Sequence, residues 1–115
     1  DIWVQAGAGG VAGSVNFTGG SGAGSRYAQL GNGGRNARGD HSGTINVLAL
    51  DNVAFAAGAT SGQNYAQLGH GGYDSDQPNN TLPSVGNSGD IYVGAQRGDI
   101  TFTAGTGTES YAQLG

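Results

Sequence analysis

The chain has no cysteine, no methionine and no lysine, and only two prolines and one tryptophan in 115 residues. Without cysteine there is no disulfide, no thiolate metal ligand and no thiol nucleophile. Without lysine, positive charge rests on Arg26, Arg35, Arg38 and Arg97 alone, against eight acidic side chains, for a net charge of −4. That balance offers no footprint for a phosphate backbone, so no nucleic-acid partner is expected. No apolar run approaches the roughly 18 residues of a membrane span. Large apolar residues are also scarce. Leu, Ile, Val and Phe together make 20 of 115, fewer than the 25 glycines. Such a composition describes a disordered or low-complexity chain, provided it has no period.

A period is present. YAQLG stands at Tyr27–Gly31, Tyr65–Gly69 and Tyr111–Gly115, and the first two copies continue as NGG and HGG. Extending the alignment gives one domain over 1–115, made of three repeats at 1–31, 44–69 and 90–115. The polar stretches 32–43 and 70–89 connect them and read as surface loops leaving one corner. The first repeat is longer by five residues. These are expected in the glycine-rich turns Gly7–Gly13 and Gly19–Ser25, where a repeat array tolerates insertion.

Within each repeat the apolar residues alternate. The first segment aligns Ile2/Val4/Ala6 with Ile45/Val47/Ala49 and Ile91/Val93/Ala95. The second aligns Val15/Phe17 with Val53/Phe55 and Ile100/Phe102. Period two with β-branched and aromatic residues indicates short strands with one buried face. In the third segment Ala and Leu share one face, and Tyr and Gln the other. Three short strands cannot bury their own apolar face, but stacked copies can, so the expected fold is all-β. It is a parallel β-helix (β-solenoid) of about three coils with loop insertions at one corner. Stacking turns each repeated position into a ladder: Phe17–Phe55–Phe102 inside, with a phenol ladder Tyr27–Tyr65–Tyr111 and an amide ladder Gln29–Gln67–Gln113.

The pattern GDIYVGAQRGDITFTAG…SYAQLG, together with YAQLGHGG, resembles repeats of filamentous-haemagglutinin-like bacterial adhesins and related giant secreted proteins. The resemblance covers all three repeats. It implies a right-handed parallel β-helix, a secreted, extracellular or cell-surface location, and a fibrous or adhesive role. It carries no catalytic residues to transfer.

Few side chains suggest chemistry. Arg38-Gly39-Asp40 has the form of a receptor-recognition triplet on a loop, although Gly-Asp recurs at Gly89-Asp90 and Gly98-Asp99 as an ordinary turn. Asp74 and Asp76 offer oxygens for Ca²⁺ but lack the spacing of a helix-loop-helix site, so a solvated loop is the better reading. His41 and His70 are not at aligned positions and have no acidic or thiol company, so no metal site is expected. No Ser, His and carboxylate are selected by spacing as a triad, and neither a cofactor nor an enzymatic activity is expected. The sequons at Asn16 and Asn79 read as incidental. Thr101 and Thr103 align with Asn16/Thr18 and Ala54/Ala56, which breaks any ice-binding threonine ladder. The outward residues Trp3, Asn46 and Tyr92 form no uniform row.

The favoured function is therefore a structural or adhesive fibre segment whose partner is itself, as a filament or as part of a longer array. A loop module for a cell-surface glycan or receptor is the alternative. No capping element is evident at either end. End-to-end pairing is expected to use Ile2, Val4, Tyr27, Gln29 and Leu30 on the first coil. On the third it would use Ile100, Phe102, Tyr111, Gln113 and Leu114, with Ile100–Ala104 and Tyr111–Leu114 meeting segments around Ile2–Ala6 and Tyr27–Leu30 of a neighbour.

Overall fold

A computed structural model describes residues 1–60, 62–75 and 86–115. Among the described residues nine strands form, three per coil. Coil 1 holds β1 (Ile2–Ala6), β2 (Val15–Thr18) and β3 (Ala28–Leu30). Coil 2 holds β4 (Ile45–Ala49), β5 (Val53–Ala56) and β6 (Ala66–Leu68), and coil 3 holds β7 (Ile91–Ala95), β8 (Ile100–Thr103) and β9 (Ala112–Leu114). Each strand pairs in parallel with its counterpart in the next coil, giving three sheets ordered β1-β4-β7, β2-β5-β8 and β3-β6-β9. This is a three-coil parallel β-helix. Its shortest extent is 13 Å, against 50 and 31 Å across. That thickness suits three rungs at roughly 4.8 Å, so the molecule is a wafer whose thin direction is the stacking axis.

The register is the one that the repeats spell. Ile2, Ile45 and Ile91 stand in one column, as do Phe17, Phe55 and Phe102, and Gln29, Gln67 and Gln113. The five extra residues of coil 1, however, all lie between β1 and β2. The offset to coil 2 falls from 43 at Ile2↔Ile45 to 38 at Val15↔Val53, and stays 38 at Ala28↔Ala66. The loop Gly19–Ser25 thus carries none of the insertion. The extra chain makes a small antiparallel turn, Ala8↔Val11, with Gly9 and Gly10 both at positive φ (59° and 83°) as a two-residue hairpin of this hand requires.

The core is a cluster of Val15, Ile45, Val47, Ala49, Val53, Phe55, Ala66 and Leu68. All but Val15 belong to coil 2, the coil covered on both sides. Polar columns hold the corners. Asn52 Oδ1 accepts the Asp99 N–H at 2.9 Å, while the Asn52 N–H donates to Ser14 Oγ at 3.3 Å. Asp51 accepts from the Gly13 N–H and from the Arg97 guanidinium, both at 3.1 Å. The latter pair is solvent-exposed and contributes little.

A buried residue that the alternation pattern does not reveal is Asn64, wholly inaccessible in the turn before β6. Its Oδ1 accepts the Arg26 N–H at 3.1 Å, and its amide donates to the Gly22 and Thr60 carbonyls at 3.0 and 3.1 Å. It therefore satisfies turn backbone in two coils at once. Asn64→Ala strands these groups and is expected to destabilise by about 2–3 kcal/mol, read by urea denaturation. A loss under about 0.5 kcal/mol, the range of ordinary surface changes, would contradict this role.

Candidate functional site: the uncovered ends of the coil stack

The third sheet departs from the expectation of a single buried face. In β6, Ala66 and Leu68 face the core, yet Gln67 on the opposite side, and Tyr65 just before the strand, are buried too. Their cover is the start of the connecting stretches, which are not free loops at that point. Gly33 and Gly71 form a parallel bridge, the Gly34 N–H donates to the Gly71 carbonyl at 2.7 Å, and Asn36 N–H donates to Tyr73 O at 2.9 Å. Tyr65 Oη accepts the Tyr73 N–H at 3.4 Å. The chain after YAQLG thus folds back over the Tyr/Gln face, and the ends of the stretches rejoin at the bridge Ser42↔Ser88.

Two aromatic columns run along the axis. Phe17, Phe55 and Phe102 stack at 5.0 and 5.2 Å, tilted by 3° and 7°. Tyr27, Tyr65 and Tyr111 stack at 4.7 and 5.0 Å, tilted by 2°. The phenol ladder is therefore as expected. The amide ladder is not: the glutamines are in register but bond to backbone. Gln29 Nε2 donates to Gly71 O at 2.7 Å, and Gln67 Nε2 donates to the His70 and Gly115 carbonyls at 3.3 and 3.1 Å. The nearby carbonyls of the folded-back chain outcompete a neighbouring amide, and the Oε1 atoms of Gln29 and Gln67 are left buried without a partner among the described residues.

Both columns stop at the wafer's two faces, and there the stacked side chains are uncovered. Ile100 is 44% exposed and Leu114 51%, whereas Val53 and Leu68 beneath them are inaccessible. Tyr27 and Gln113 are exposed, and Ile2, Val4, Gln29, Leu30, Phe102 and Tyr111 are half-buried. Each of these residues lies in, or immediately before, a strand paired on one side only among the described residues. Within the chain like segments stack on like: Ile2–Ala6 shares its sheet with β4 and β7, and Val15–Thr18 shares its sheet with β5 and Ile100–Thr103.

Burial pushes the Tyr111 phenol up to about 12, helped by the neighbouring Tyr65, Tyr73 and Glu109. Burial likewise raises Tyr65. Tyr73 is raised by donating its hydroxyl to Glu109 Oε1 at 3.0 Å, where Gln63 also donates to Oε2. A phenol whose folded value exceeds the ordinary one near 10 keeps its proton in the folded chain after the unfolded chain has lost it. Stability is therefore full below about pH 10 and falls as pH rises toward 12. Thermal melting followed across pH 9–12 is expected to show this decline together with tyrosinate absorbance. An unchanged melting temperature to pH 12 would contradict it.

The remaining candidates do not converge. Arg38 is exposed and Gly39 has φ 89°, but the Asp40 carboxylate accepts the Gly86 N–H at 3.1 Å, tying the two connecting stretches together. Asp74 sits in a turn at φ 60°, and Asp76, Pro78, Asn79 and Pro83 lie outside the described residues. No group of three or more His, Asp or Glu that could hold a metal ion occurs among the described residues. His70 is a clip: Nε2 lies 2.8 Å from the Gly43 carbonyl and Nδ1 3.4 Å from the Asn32 N–H. A carbonyl can only accept and an amide N–H only donate, so the ring carries its proton on Nε2. No helix among the described residues is long and apolar enough to cross a membrane. Comparison with protein-family models, curated proteins and solved structures returns no match for this chain.

Proposed function

We propose that this chain is a structural segment of an extracellular fibre or adhesin, extended by parallel stacking of further coils on its two broad faces. The observation that carries this reading is the contrast between the sealed middle coil and the uncovered outer ones. Val15 apart, the apolar positions that are buried in coil 2 are half-buried or exposed in coils 1 and 3. A second copy placed with its coil 1 on coil 3 would continue all three sheets, setting Phe17 on Phe102 and Tyr27 on Tyr111. Such a contact is heterologous and does not close, so it generates a filament. A long array within one chain would continue the columns by the same chemistry.

The test uses the 115-residue chain and a variant with a charge on one edge, Ile100→Lys, a residue type that natural edge strands use to prevent pairing. Electron microscopy is expected to show filaments with a repeat of about 4.8 Å along their axis for the parent and none for the variant. A parent that stays monodisperse at high concentration, or a variant that assembles equally well, would overturn self-stacking.

A further inference from the structure

The outer face of the first sheet carries aromatic side chains that the core does not use. Trp3 is 64% exposed and Tyr92 56%. Asn46 lies between them in one row across the three strands. Two positions further along each strand, Gln5, Leu48 and Gly94 form a second row. This row floors an open groove of about 530 Å³, walled at coil 1 by the hairpin glycines Gly9 and Gly10. The groove thus runs across the strands, parallel to the stacking axis. Tyr92 Oη donates to Asp90 Oδ2 at 3.3 Å, two residues back and just before β7, which draws the phenol along the sheet surface.

From this geometry we infer that the first sheet is a binding platform for a linear, uncharged, β-1,4-linked polysaccharide. Three features select that ligand. Trp3 and Tyr92 are two rungs apart, roughly 9.5 Å, which is close to the repeat of two sugar residues in an extended β-1,4-linked chain. Aromatic rings meet the apolar faces of sugar rings while their polar tips stay wet. The amides of Asn46 in the aromatic row and Gln5 in the groove supply both donors and acceptors to hydroxyl groups. Every described residue lining the groove is uncharged, which suits a neutral chain rather than a uronate or sulfated one. The platform lies on the side of the coils, facing away from the core.

Trp3 is the only tryptophan, and its fluorescence reports on the platform directly. Titration with cellohexaose is expected to change that fluorescence, with half-saturation near or below about 1 mM. Maltohexaose, whose α-linked chain curves, is expected to do so at least about tenfold more weakly. Calorimetry should show at least about a tenfold loss of cellohexaose binding for Trp3→Ala and for Tyr92→Ala. Both positions point outward, and far-UV circular dichroism checks that the variants fold. Val11→Ala, an exposed change off the row, should bind like the parent. An absent response to cellohexaose, an equal response to maltohexaose, or unchanged binding in folded Tyr92→Ala would each overturn the inference.

Discussion

Phe55→Ala is expected to cost about 3–5 kcal/mol, the range for emptying a large aromatic site that cannot collapse. Phe55 is inaccessible and sandwiched between Phe17 and Phe102, at 5.0 and 5.2 Å. Those two rings cannot close on each other, because the backbone ladder holds their strands two rungs apart. The cavity therefore persists, and two stacking contacts, worth about 0.5–1.5 kcal/mol each, are lost with it. Against a typical total stability of about 5–15 kcal/mol, this single change brings a three-coil wafer close to unfolding. Phe102→Ala should cost clearly less, since Phe102 is half-buried and loses one neighbour instead of two. Urea denaturation of both variants, under conditions where the chain is monomeric, checks the ordering. Equal costs would contradict the picture of a single sealed coil.

Gly69→Ala is expected to be comparably damaging, at about 3 kcal/mol or more, for a different reason. The YAQLG glycines stack so closely that a Cβ on Gly31 would overlap the carbonyl of Gly69, and one on Gly69 the carbonyl of Gly115. The obstacle is backbone, held in place by Gly69 N–H to Leu30 O and Gly115 N–H to Leu68 O, both at 2.9 Å. A methyl group there must pry coil 2 from coil 3, and the Gln67 bond to Gly115 O goes with it. Gly24→Ala separates this collision from backbone strain. Gly24 has φ 98° with open space around it, so its substitution tests torsion alone and is expected to cost only about 1–2 kcal/mol. If Gly69→Ala melted with Gly24→Ala, the collision would not be what demands glycine at that corner.

The strands and their register were legible because alternation is local and repetition is exact enough to align. Val15, Phe17, Val53, Phe55, Ile100 and Phe102 alternate along their own strands, and a parallel stack places each on its counterpart without further information. Four other features needed the folded chain. The five extra residues of coil 1 could sit in either glycine-rich turn, and only the pairing offsets place them all before β2. The cover over Tyr65 and Gln67 comes from chain that folds back after YAQLG, a contact between layers that a period-two pattern cannot register. The glutamine amides turned from one another to those backbone carbonyls once they were within reach. Trp3, Asn46 and Tyr92 align as outward residues of the repeats, but they differ in type, so the alignment alone marks no uniform row. Trp3 and Tyr92 become a pair only because stacking sets them two rungs apart on one open face, since parallel pairing converts a separation of 89 residues (92 − 3) into two strand spacings.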